Sequence, residues 1–220
     1  MDDQFMTAAD IAYNIIMKKI TDGEYAPGMR LSRRKMAEVT GVSVIPVIEA
    51  LKRLEEDHLV ESKPKWGSFV AVPTSENVRQ MYEYREALEC QIARILSINM
   101  TMAQEGEIFA VATDLDVVSY EDKEVKRKLH LDFHHKLAVY TGNPMLITAL
   151  GRINYFWILC KALDGIKSVR GDSVRYWHRY LIDEIRSGDP DRAEKAMREH
   201  ILDSLDPVLK LIPPEWDKTV

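Results

Sequence analysis

Four of the six histidines in this chain are spaced as metal ligands can be. His130 and His134, in KLHLDFHHK, are four residues apart, which puts both rings on one face of a helix, one turn apart. His178 and His200 open and close later segments whose apolar residues recur at helical spacing, so each falls on a helix facing a core. Neutral imidazole is the commonest side-chain ligand for zinc and similar ions, and an i,i+4 pair suits chelation. The same pair also fits two hydrogen-bonded histidines in a helical core. His135 points away from the pair and reads as a surface residue; His58 reads as structural.

The elements that must position these rings are helices. Gly142-Asn143-Pro144 is a helix stop, a cap and a proline start in three residues, and Gly188-Asp189-Pro190 repeats the device. Helices are expected near 76–100, 103–118, 121–141, 144–167, 172–187 and 190–210. No strand pattern appears there, so residues 74–220 read as an all-α antiparallel bundle of about six helices. Tyr155, Phe156 and Trp157 read as bundle core, and the capping role of Asn143 accounts for it fully.

The front of the chain is built differently. Residues 7–20 form an amphipathic helix, and a loop follows at Asp22-Gly23 and Pro27-Gly28. Ser32 is placed to cap a helix over 33–39, Gly41 to turn the chain, and Ser43 to cap a third helix with Pro46 in its first turn. Val47, Ala50, Leu51 and Leu54 make the inward stripe of that helix, which leaves Val44, Ile45 and Ile48 outward. Leu59–Ser62 and Ser68–Val72 alternate as strands around a KPKWG tip. Residues 1–73 thus read as a winged helix-turn-helix, which places a helix in the DNA major groove. The fold class is mainly α.

Bulk properties limit the alternatives. A net charge of −5 over 220 residues argues against a whole-protein polyanion binder. Residues 1–74 hold ten Lys/Arg against eleven Asp/Glu, yet Arg30, Arg33, Arg34 and Lys35 cluster, as do Lys63 and Lys65. Local clusters can contact phosphates despite a negative total. Cys90 and Cys160 are far apart, which argues against a disulfide framework. No apolar run reaches the length of a membrane span and the acidic start is no signal peptide, so a cytoplasmic protein without membrane contact is expected.

Residues 7–20, GEYAPGMRL, GVSVIPVIEALKRLEEDHLV and KWGSFVAV resemble the winged-helix domain of GntR-superfamily regulators. YREALE at 84–89, FHHKLAVYTGNP at 133–144 and HRYLIDEIRSGDPDRAEKAMREHI at 178–201 resemble the FCD ligand-binding bundle of its FadR subfamily. The resemblance implies a homodimeric regulator that binds a palindromic double-stranded operator, with an effector in the bundle changing the spacing of the two DNA heads. It implies no enzyme. It also implies a divalent metal held by an Asp-x-x-x-His pair and two later histidines. His134, His178 and His200 match the histidine positions; His130 stands where the family has Asp, and Asp132 lies on another face. A four-imidazole set disfavours hard cations and suits a transition metal such as zinc or nickel. If His130 is not a ligand, three imidazoles remain, with open positions. Arg85 matches a family arginine and suits an organic-acid effector; an intrahelical ion pair with Glu89 accounts for it equally well.

Of three basic DNA-contact positions in the family, Lys35 retains one, while Val44 and Ile48 replace the other two. Val44, Ile45 and Ile48 suit thymine methyl groups, or else a protein surface. Ser32, Arg33, Arg34, Ser43, Lys63, Lys65 and Gly67 complete the expected DNA surface, mainly as phosphate contacts. The wing-tip Trp66 suits either the DNA or the bundle. Two rival functions are a metal-dependent enzyme using the histidines and a partner-binding protein with weakened DNA contact. Against the enzyme, no carboxylate stands at a recognisable spacing from the histidines.

Overall fold

A computed structural model describes residues 6–118, 123–162 and 177–218, with 123, 124, 127, 154–162 and 218 by their backbone alone. The chain divides into two compact units, with a boundary between Thr74 and Ser75; residues 155–162 and 214–218 group with the first unit.

The first unit holds helices α1 (Ala8–Thr21), α2 (Arg33–Thr40) and α3 (Val44–Glu56) and strands β1 (Arg30–Leu31), β2 (Val60–Lys63) and β3 (Gly67–Val70). Ile16 and Ile20 of α1, Met36 of α2 and Val47, Ala50, Leu51 and Leu54 of α3 meet in one core with Leu31, Leu59, Val60 and Val70. The inward stripe read from α3 is the buried one. Gly41 ends α2 at φ 71°, a left-handed conformation that glycine enters without steric cost and that turns the chain into α3.

Two local expectations change. Ser32 and Ser43 do occupy the N-cap positions, but neither side chain accepts a capping hydrogen bond. Both residues are exposed, and water competes for hydroxyl and amide alike. The wing is also a three-stranded sheet, ordered β1-β3-β2, not a bare hairpin. Arg30 pairs with Phe69 and Leu31 with Ser68, a two-residue strand too short to show alternation in sequence.

Asp10 ties α1 to α3. Its carboxylate accepts from the Thr7 backbone N–H at 3.0 Å and from Arg53 Nη1 at 2.7 Å, while Thr7 Oγ1 accepts from the Asp10 N–H at 3.1 Å. The Thr7 hydroxyl and the Arg53 guanidinium hold the Asp10 carboxyl down to about 2. Its folded-state value is thus below the unfolded one, near 4, so its contribution is complete above about pH 4 and lost as pH falls toward 2. Asp10→Asn should flatten the stability-against-pH curve of this unit across that window, as read by thermal melts at stepped pH. An unchanged slope would count against the pairing.

The second unit holds helices and no strand among its described residues: α4 (Ser75–Asn99), α5 (Met102–Val117), α6 (Lys123–Tyr140), the first part of α7 (Pro144–Ala162), α8 (Trp177–Ile185), α9 (Pro190–Leu202) and α10 (Leu205–Leu209). Helix α4 lies along α9, and α5 packs on α6 and α8. Asn143 caps α7 through Oδ1, which accepts from the Met145 N–H at 3.0 Å, and Asp189 caps α9 from the Asp191 N–H at 2.9 Å. The helix expected over 190–210 is instead broken between α9 and α10. Pro207 explains the break: it has no N–H for the Asp203 carbonyl, and its ring collides with a carbonyl four residues back in a continuous helix. The Ser204 hydroxyl at the break lies 2.8 Å from Tyr82 OH of α4. The side chains of Tyr155, Phe156, Trp157 and Cys160 lie outside the described residues.

Candidate metal centre and nucleic-acid interface

The bundle brings the four histidines together. Helix α6 presents His130 and His134 one turn apart, with ring centroids 4.6 Å from each other. His178 from the first turn of α8 and His200 from the last turns of α9 close the group, 4.8 Å apart between ring centroids. Nitrogens of His130, His178 and His200 lie within 4.8 Å of one another, and His134 Nε2 lies 3.4 Å from His200 Nε2. Phe133 adds an apolar wall, its ring edge-on to both His134 and His178.

Two carboxylates orient two of these rings, and the sequence showed neither. Asp116, near the end of α5, places Oδ1 2.7 Å from His178 Nδ1 and accepts the backbone N–H groups of His178 and Arg179 at 3.1 Å each. Glu89 of α4 contacts Nδ1 of His134, with both side chains buried. The partnership with an ionised carboxylate assigns the ring hydrogen to Nδ1, which leaves the lone pair on Nε2, an atom that in His134 lies beside His200 and in His178 is buried. Burial pushes the His178 imidazole below its ordinary value, with Asp116 only partly offsetting, so the neutral, ligating form is favoured. Burial alone would raise Glu89, but the Arg85 charge and His134 hold it down to about 2.

These residues fit a transition-metal ion. His178 Nε2 is buried without a hydrogen-bond partner among the described residues. Two nitrogens each about 2.0–2.1 Å from one tetrahedral zinc stand roughly 3.4 Å apart, the separation of His134 Nε2 and His200 Nε2. His130, His178 and His200 span up to 4.8 Å, wider than that separation. Each oriented ring reproduces the carboxylate–histidine pairing that steers metal ligands and raises their basicity. His135 and Asp132 are exposed, on other faces of α6.

Arg85 lies within the same core. Its Nε donates to Glu89 Oε1 at 2.8 Å, both side chains are buried, and the guanidinium stands over the Tyr82 ring. The intrahelical pair offered by the sequence is therefore present, extended by an unforeseen third member, His134. The i,i+4 step was legible; the pairing from Glu89 to His134 spans 45 residues and left no local signal.

On the first unit, Ser32, Arg33, Arg34 and Lys35 are exposed at the start of α2, and Ser43 precedes α3. Lys63 and Lys65 are exposed on the wing, where Lys65 adopts φ 67° and Trp66 is exposed beside the half-buried Gly67. Arg34 pairs at 3.4 Å with Glu38 one turn on, and Lys63 at 3.6 Å with Glu61, both in solvent and so worth little to stability. Val44, Ile45 and Ile48 are 41%, 78% and 41% exposed, large apolar side chains facing outward on the second helix of the motif.

Comparisons with known proteins agree with this architecture. Residues 8–70 match the gntR family of bacterial regulatory proteins, and residues 80–203 match the FCD domain. The HTH-type transcriptional regulator YdhC of Bacillus subtilis is 28% identical over 86% of this chain and 84% of its own length. The HTH-type transcriptional repressor RspR of Escherichia coli is 26% identical over 86% and 83%. A GntR transcriptional regulator from Rhodococcus sp. RHA1 superposes with a TM-score of 0.72 at 22% identity, covering 93% of this chain and 99% of that one, a likeness of fold. With a winged helix-turn-helix ahead of a helical FCD unit, this chain belongs to the GntR family of DNA-binding transcription regulators, in its FadR-like branch.

Proposed function

We propose that the protein is a homodimeric cytoplasmic regulator that binds an operator through residues 1–73 and senses a small organic acid beside a divalent metal held in residues 74–220. The observation that carries this reading is the pair of carboxylate-oriented imidazoles, His178 on Asp116 and His134 on Glu89, gathered with His130 and His200, with His134 Nε2 3.4 Å from His200 Nε2. Neutral imidazoles without a ligating carboxylate favour zinc or nickel over magnesium or calcium. Held by three of the imidazoles, such a metal would supply a Lewis acid with an open position for a carboxylate effector. A carboxylate that reaches Arg85 competes with Glu89 for its guanidinium, which links effector occupancy to the orientation of His134.

The enzyme reading fares worse, because both carboxylates at the cluster are engaged with imidazole Nδ1 atoms and neither stands as a general base. On the DNA side, Lys35, Arg33, Arg34, Lys63 and Lys65 supply phosphate contacts.

Gel shifts of the purified protein on its own upstream region, with and without chelator and a panel of organic acids, test the reading. Binding that shifts with both additions is expected. Lys35→Ala should weaken binding across sequences and reduce the slope of log affinity against log salt by about one. No binding to any duplex would overturn the regulator reading; indifference to chelator and acids would overturn the sensing part alone.

A further inference from the structure

The outward face of α3 carries Val44, Ile45 and Ile48, followed one turn on by the exposed Lys52. No arginine stands among them, so the face has no planar fork to offer guanine O6 and N7. Its polar neighbour on the flank is Glu49, whose carboxylate can only accept, as from cytosine N4. Leaving three large aliphatic side chains in water on one turn and a half of helix is unfavourable, and nothing in the core of this unit needs them.

We infer that α3 reads the C5-methyl groups of pyrimidines in the major groove, with Ile45 as the principal contact and Val44 and Ile48 beside it. The inference rests on the reading that this helix enters DNA. Charge complementarity supports DNA as the occupant: α3 packs on α2 and β2, and those elements and the wing turn expose Arg33, Arg34, Lys35, Lys63 and Lys65 against Glu38 and Glu61, an excess of positive charge. These cations hold the duplex by its phosphates, and the aliphatic face supplies discrimination. Thymine and 5-methylcytosine carry the same methyl group at the same place in the groove, whereas uracil and cytosine lack it. Operator half-sites should therefore contain thymine opposite Ile45, and 5-methylcytosine should substitute there better than cytosine.

The experiment uses the full-length protein and duplexes selected by it from a random library. The selected duplex is rebuilt with deoxyuridine replacing thymidine at one position at a time. Each contacted methyl removed should weaken binding about fourfold, and Ile45→Ala should abolish the preference for thymidine over deoxyuridine at its position. Ile45 is 78% exposed, so this variant should fold as the parent does. Equal affinity for the thymidine and deoxyuridine duplexes overturns the inference while leaving DNA binding intact. If Ile45→Ala changes the oligomeric mass and leaves the preference untouched, the face is a protein contact and the inference fails. If no duplex is selected at all, the reading of the protein as an operator binder fails with it.

Discussion

Glu89→Ala should destabilise the metal-free helical unit by about 3–5 kcal/mol, the typical cost of breaking a buried ion pair. Glu89 is 2% exposed and Arg85 4%, and one carboxylate oxygen takes the Arg85 Nε–H at 2.8 Å while the other meets His134. Arginine cannot shed its proton in a protein, so removing the carboxylate takes from a buried charge the oppositely charged group it holds at 2.8 Å. Glu89→Gln keeps the shape and one acceptor and should cost less. Replacing the pair together, Arg85→Met with Glu89→Leu, should recover most of the loss, because an apolar pair of similar volume often matches a buried ion pair. Urea unfolding of the four proteins measures all of this. A loss below about 1 kcal/mol for Glu89→Ala would show that the pair is not a structural strut of the core.

The second large effect is expected at His178. On the metal-sensing reading, His178→Ala should strip most of the bound metal, and Asp116→Asn should retain it with affinity weakened roughly 10–100-fold. The contrast is informative because Asp116 touches no metal position. It orients the ring through Nδ1 and accepts two backbone amides at the start of α8, one on each oxygen, and asparagine keeps one of those two acceptors. Elemental analysis together with competition against a chromophoric chelator reads both variants, and circular dichroism checks that the helices persist. Metal content unchanged in His178→Ala would remove His178 from the site. Equal affinity for parent and Asp116→Asn would show that the carboxylate does not tune the ring.

Much of the framework was legible because it rests on local patterns. The stripe Val47, Ala50, Leu51 and Leu54 marks the buried side of α3 without reference to anything beyond it, and Asn143 and Asp189 cap helices from within their own turns. The i,i+4 relation of Arg85 to Glu89 and of His130 to His134 is equally local. What escaped falls into two kinds. Strand β1 is two residues long and exists only because β3 passes beside it. The break at Ser204 was signalled by Pro207, but the apolar periodicity running on through Leu209 masked it. Helical spacing reports which face is apolar, and it does not report whether the backbone hydrogen bonds needed for continuity exist.

The histidine set shows where sequence stopped and tertiary structure began. The spacing of His130 and His134, with His178 and His200 on separate core-facing segments, determined which residues were candidates and that helices would carry them. It could not determine that α6, α8 and α9 turn those rings toward one another. Nor could it determine that Glu89 and Asp116 arrive from α4 and α5, 45 and 62 residues away in sequence, to take Nδ1 of His134 and His178 and leave Nε2 as the ligating atom. Those pairings depend on the order in which helices pack, and a carboxylate on a helix face reads the same whether it meets water or an imidazole. Local periodicity is written into the chain; which distant partner satisfies a buried polar group is decided only when the core closes around it.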